Sequence, residues 1–138
     1  MGKILAIDYG MARVGLAITD ALKITAQPMD TLETKGDADI LINKIKDIMA
    51  SSKLDEVVIG YPKPMNGDLS ETAKKIDEVI VKIEALGLKV VKWDERLTTV
   101  MAYNTMKEMG IKQKDKKVHA DRLAAMYILQ DYMRSQNY

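Results

Sequence analysis

KILAIDYGMARVGLAIT, residues 3–19, holds two apolar runs rich in β-branched residues on either side of a short turn. Lys3 to Tyr9 reads as a buried strand, Gly10 to Arg13 as the turn, and Val14 to Thr19 as a second strand. Strands joined so tightly predict an antiparallel hairpin. In the middle of LAIDYG, within this apolar strand, sits Asp8, where burying an unpaired carboxylate costs several kcal/mol. Two compensations are open: hydrogen bonds from the amides of the following glycine turn, or a metal ion.

Working outward, a third and weaker strand is expected near Met29 to Glu33, after Pro28. Asp37 then begins a helix whose apolar positions Ile40, Leu41, Ile45, Ile48 and Met49 recur at helical spacing. Glu56 to Gly60 reads as a short buried strand, and YPKPMNGDLS (61–70), dense in Pro, Gly and Asn, as a loop. Ser70, Ala73, Ile76, Val79, Ile80, Ile83 and Leu86 give a long helix stopped by Gly87. Leu88 to Trp93 supply the next strand. Thr98 or Thr99 caps a helix running to about Met109, Gly110 ends it, and a lysine-rich loop leads to a last helix from about Val118 to Met133. Three strands followed by alternating helix and strand predict an α/β fold, a mixed sheet with helices on both faces. With no repeat, linker or low-complexity segment, residues 1–138 are expected to form a single domain.

A chain of 138 residues buries enough surface to hold a core without staples. Its apolar fraction of 47% and charged fraction of 30% are those of a soluble globular protein, and no run of about 18 apolar residues is present to span a bilayer. The N-terminus enters a strand directly, without the pattern of a secretory signal, so a cytoplasmic protein is expected. Absence of cysteine excludes disulfides, thiolate nucleophiles and thiolate metal sites. A metal here would be held by oxygen or by the single His119, which favours Mg2+ or Mn2+ over zinc. Net charge is only +1, so attraction to phosphate has to come from local clustering. IKQKDKKVHADR provides such a cluster, although a lysine-rich segment is more often simply a solvated loop.

A second strand also ends in acids, at Asp94 and Glu95 of VVKWDERLTT, the end of an α/β sheet where sites are built. Strand alternation puts Val91, Trp93 and Glu95 on one face and Val90, Lys92 and Asp94 on the other, so only one of the two acids is expected to share a pocket with Asp8. Asp121, in the first turn of the last helix, has an adequate structural reason in the helix dipole. It also lies among Ala120, Leu123, Ala124 and Ala125, a small apolar face suited to lie closely on a sheet. Three carboxylates from separate elements suit a hard cation, and such ions serve phosphodiester hydrolysis. Arg13 and Arg96 have the forked geometry to clamp phosphates, or each pairs with Asp20, Asp94 or Glu95. His119, two residues before Asp121, does not share its helix face, and a structural or phosphate-contacting role fits it better. Met101, Met106, Met109 and Met126 read as core fillers. Trp93 and the tyrosines are too scattered for a base-stacking platform.

IDYGMARVGLAITD, VVIGYPKPMNGDLSETA, WDERLTT and KVHADRLAAMYILQ together resemble the YqgF family, also called RuvX-like Holliday junction resolvases or ribosomal RNA precursor nucleases. The likeness runs along nearly the whole chain. It implies a ribonuclease H-like fold, a mixed five-stranded sheet flanked by helices, with Asp8, Glu95 and Asp121 as the catalytic and metal-binding acids. Arg13, Arg96, Lys117 and His119 are then the expected phosphate contacts. The implied activity is a metal-dependent nuclease acting in the cytoplasm, as monomer or homodimer, on structured nucleic acid. A pre-16S rRNA end in ribosome biogenesis is the first substrate and branched DNA the second. The competing function is non-catalytic nucleic-acid binding by the same fold. The chain departs from the family in having Ala12-Arg13 where a Lys-Arg pair is usual, and YPKPMNGDLS in place of a leucine-proline-leucine segment, with Lys63 adding charge. An acidic strand before a glycine hairpin also opens the actin and sugar-kinase ATPases, but 138 residues leave no room for their duplicated domain.

Overall fold

The computed structural model describes residues 2–61, 71–94 and 113–136, with backbone alone for Asp94 and for residues 113–122. The expected helix at 98–109, nearly all of the 61–70 loop, and Lys63, Glu95 and Arg96 lie outside the described residues. The strands are β1 (Lys3–Tyr9), β2 (Arg13–Thr19), β3 (Ala26–Pro28), β4 (Leu32–Glu33), β5 (Leu54–Tyr61) and β6 (Lys89–Asp94). The helices are α1 (Ala38–Ser51), α2 (Glu71–Glu84) and α3 (Gln113–Ser135). One mixed sheet runs in the order β3-β2-β1-β5-β6, with the two-residue β4 pairing on β2 beside β3. β1 and β2 form the expected antiparallel hairpin, while β1–β5 and β5–β6 are parallel.

β1 lies inside the sheet and is covered on both faces, which is why Ile4, Leu5, Ala6 and Ile7 are all fully buried and the strand reads as a continuous apolar run. Its odd residues Leu5, Ile7 and Tyr9 pack with Leu41 and Ile45 of α1 and Ile76, Ile80 and Ile83 of α2. Its even residues Ile4 and Ala6 pack with Ala125, Ile128, Leu129, Tyr132 and Met133 of α3. Helices therefore lie on both faces, as the alternation of elements requires.

Three local expectations change. Of the strand expected at 29–33 only Leu32–Glu33 is strand, β4, and a separate short strand, β3, comes before it and ends at Pro28, which has no amide to donate; between them Met29 N donates to Leu16 O at 2.8 Å. The lysine-rich segment is not a loop from 113 on: Gln113 to Lys117 already belong to α3. Lysine and glutamine are good helix formers, and nothing after Gly110 breaks the helix. α1 starts at Ala38 rather than Asp37, which is its N-cap and accepts from Asp39 N at 3.0 Å.

Candidate active site

Asp8 is buried, with 8% of its surface exposed. By strand alternation it continues the Ile4–Ala6 series and faces the α3 side. Its register partner on β2 is Gly15. On the other flank Ile7 pairs with Ile59, so the residue at the level of Asp8 on β5 is Gly60, which itself pairs with Trp93 of β6. This carboxylate near the C-terminal end of an inner strand has glycines at its level on both neighbouring strands, so neither of those two positions puts a side chain beside it. Glycine inside strands often marks a site of close approach. Gly60 carries no such meaning in the sequence reading; the signal available was a glycine ending an otherwise β-branched run, and it becomes informative only once β5 is known to lie beside β1.

The direction of α3 follows from its contacts. Tyr132, near its C-terminal end, donates its hydroxyl to Glu56 Oε2 at 2.9 Å, and Glu56 lies near the start of β5, level with Ile4. Met133 and Arg134 line a cleft of about 420 Å³ with Ile24, Thr25 and Ala26, at the end of the sheet where β2 finishes. The N-terminal half of α3 therefore runs toward the end of the sheet that carries Asp8. From Tyr132 back to position 121 the helix covers about 16 Å at ~1.5 Å per residue. From Ile4 up to Asp8 the strand covers about 13 Å at ~3.3 Å per residue. Helix position 121 and Asp8 thus stand at similar levels, and position 121 comes one turn before the buried Ala125 and two before Ile128.

β6 obeys the expected alternation as far as it is described. Val91 and Trp93 pack on the α3 side, with the Trp93 ring edge-on to Tyr132 at 5.5 Å between centroids. Val90 joins the α1–α2 side, and Lys92 pairs with Asp77 of α2 at 3.2 Å while lying 4.5 Å from the Tyr61 ring centre. Tyr61 in turn donates to Asp77 at 3.0 Å, so the ends of β5 and β6 are tied to α2. Burial, with the Asp77 charge and hydrogen bond adding to it, raises the Tyr61 hydroxyl above its ordinary pKa. Met126 and Trp93 are partly buried and pack against the α3-side core, in keeping with the gap-filling role expected of Met126.

Arg13 opens β2 and pairs in register with Glu33 of β4, at the end of the sheet where Asp8 lies. Asp20 is at the far end of β2, where its carboxylate accepts from Ile24 N at 2.7 Å and Thr25 N at 2.9 Å. Those backbone bonds hold its pKa below the usual carboxylate range. Lys117, His119 and Asp121 all belong to α3. Among the described residues no three carboxylate or imidazole side chains gather, and Asp8 is the member of the expected acidic trio whose side chain is described. Also among them, no helix is long and apolar enough to cross a membrane.

A mixed sheet with an acid near the end of its inner hairpin strand and helices on both faces is the ribonuclease H-like class of α/β fold. Two solved structures share it across almost the whole chain. Thermus thermophilus RuvC in complex with a Holliday junction substrate has a TM-score of 0.57 at 17% identity, covering 98% of this chain and 96% of that one. The fowlpox virus resolvase in complex with Holliday junction DNA has a TM-score of 0.55 at 15% identity, covering 99% of both chains. The family profile described as RuvX, Holliday junction resolvase, matches residues 2–135. Relatives provisionally named pre-16S rRNA nuclease are 40% identical in Acetivibrio thermocellus, over 97% of this chain and 96% of that one, and 41% identical in Ruminiclostridium cellulolyticum, over 95% and 93%. The chain belongs to the RuvX family.

Proposed function

We propose that this chain is a divalent-metal-dependent nuclease that hydrolyses phosphodiester bonds in structured nucleic acid, in the first place at the end of pre-16S rRNA. The observation that carries the reading is Asp8: a buried carboxylate near the end of an inner strand, flanked in register by Gly15 and lying on the face that α3 covers. An oxygen donor set in a chain without cysteine suits Mg2+ or Mn2+. Asp8, Glu95 and Asp121 are the residues proposed to hold the ion; the similar levels of Asp8 and position 121 support the pairing. Glu95 follows directly on β6, where Trp93 faces α3. When bound, such an ion activates water and stabilises the leaving oxygen. The chain's own part is to orient the phosphate: Arg13, Arg96, Lys117 and His119 are proposed as its contacts, and residues 1–138 as one nuclease domain acting in the cytoplasm.

Branched DNA is the second reading, favoured by the junction-bound RuvC and fowlpox resolvase that share the fold. The deciding experiment is cleavage of labelled precursor rRNA, single-stranded RNA and a four-way DNA junction, with Mn2+, Mg2+ or chelator, by wild type and Asp8→Asn. Metal-dependent cutting that disappears in a folded D8N protein is the expected result, and the substrate cut fastest ranks the two readings. Cutting undiminished in D8N, or none by wild type on any probe, would remove the nuclease reading in favour of non-catalytic binding.

A further inference from the structure

The turn that follows Asp8 is braced from outside. Gly10 N donates to Arg13 O at 3.0 Å, and a Cβ on Gly10 would stand 2.6 Å from that carbonyl, so the tip is too tight for a larger residue. Ala12 O accepts two amides, from Thr34 and from Lys35, each at 3.0 Å. With Arg13 paired to Glu33, the segment 33–35 is hydrogen-bonded onto the turn along its length. The exposed residues of the tip itself, Met11 and Ala12, carry no charge. Lys35, also exposed, is fixed beside Ala12 through its backbone.

The backbone of Lys35 is left-handed, with φ 49°. Glycine adopts that conformation more readily than lysine, and the next left-handed position is filled by Gly36 at φ 89°; the other left-handed non-glycine among the described residues, Lys23 at φ 57°, has its ammonium paired with Asp55 at 2.9 Å. A side chain kept against the backbone's preference points to work done by that side chain. Glu33 and Asp37 flank Lys35, yet among the described residues no ion pair engages its ammonium, and the Asp37 carboxylate is taken up by the Asp39 amide.

We propose that Lys35 is a substrate-positioning residue whose ammonium contacts a backbone phosphate beside the bond cut at Asp8. The inference rests on the nuclease reading and adds to it a cation delivered from a second segment to a turn whose exposed tip lacks one.

The test is equilibrium binding of the whole chain to a four-way DNA junction and to an RNA hairpin, in chelator, over about 50 to 200 mM salt. Lys35→Gly is the informative variant because glycine suits φ 49°, so its melting temperature should be no lower than that of wild type. Expected is several-fold weaker binding at low salt and a salt slope shallower by about one, with recovery in the Ala12→Lys/Lys35→Gly double variant. Loss on both probes follows from the shared phosphate, and loss on one assigns the contact to that nucleic acid. Wild-type affinity and slope in K35G, or weakened binding accompanied by a lowered melting temperature, overturns the proposal while cleavage by wild type leaves the nuclease reading standing. Absence of salt-dependent binding by wild type overturns both.

Discussion

Tyr9 shows how much one residue beside the site can cost. Its ring is enclosed among the α1 and α2 side chains, and its buried hydroxyl has no hydrogen-bond partner among the described residues. An unsatisfied buried hydroxyl costs about 1–3 kcal/mol, so Tyr9→Phe is expected to raise stability by about 1 kcal/mol in urea unfolding. Burial, then the charges of Glu78 and Asp37, push the Tyr9 pKa upward. Below the ordinary value of about 10 the phenol is protonated in both states; above it the unfolded chain ionises first and the folded chain holds more protons. Stability is therefore expected to fall as pH rises above about 10 toward the folded value, and Y9F should flatten that fall. At Gly10 the opposite holds: the Arg13 carbonyl leaves no room for a Cβ, and Gly10→Ala is expected to destabilise by about 1–3 kcal/mol, read from the same unfolding curves. The turn at Gly10 is legible in sequence, since a glycine after an apolar strand is a local signal. The isolation of the Tyr9 hydroxyl is not, because it depends on what two distant helices bring against it.

Among the elements, α3 has the most influence on the site. Its level against the sheet is pinned by Tyr132 donating to the buried Glu56, with Lys89 at 3.9 Å as the other partner of that carboxylate. Tyr132→Phe leaves the carboxylate without its hydroxyl donor and is expected to cost about 1–3 kcal/mol, measured by chemical unfolding. α1 and α2 are legible because each carries apolar residues at helical spacing on one face only. α3 is legible in its C-terminal half for the same reason. Its first turns are hidden in a polar run that reads as loop, since solvated lysines carry no periodic signal to separate helix from coil. The β3–β4 pair is unclear for a related reason: with three and two residues, each takes its strand conformation from pairing with β2 rather than from its own composition.

For the whole molecule, the two cores described on opposite faces of the sheet are packed from hydrophobic side chains rather than carboxylates. Chelation is thus expected to abolish cleavage while leaving the melting temperature nearly unchanged, a contrast that separates a catalytic ion from a structural one. By itself the sequence determines the hairpin, the alternation along β1 and β6, the absence of any thiolate donor and the family likeness, because each is a matter of composition, neighbouring residues or fixed spacing. Only the tertiary structure decides that Asp8 lies level with Gly15 and Gly60, that position 121 of α3 stands at a similar height, and that Lys35 sits against Ala12. Those relations join residues as far apart in the chain as 8 and 121, and no local propensity encodes them; they follow from strand order, register, the apolar packing of α3 and the Tyr132–Glu56 hydrogen bond that marks its level along the sheet.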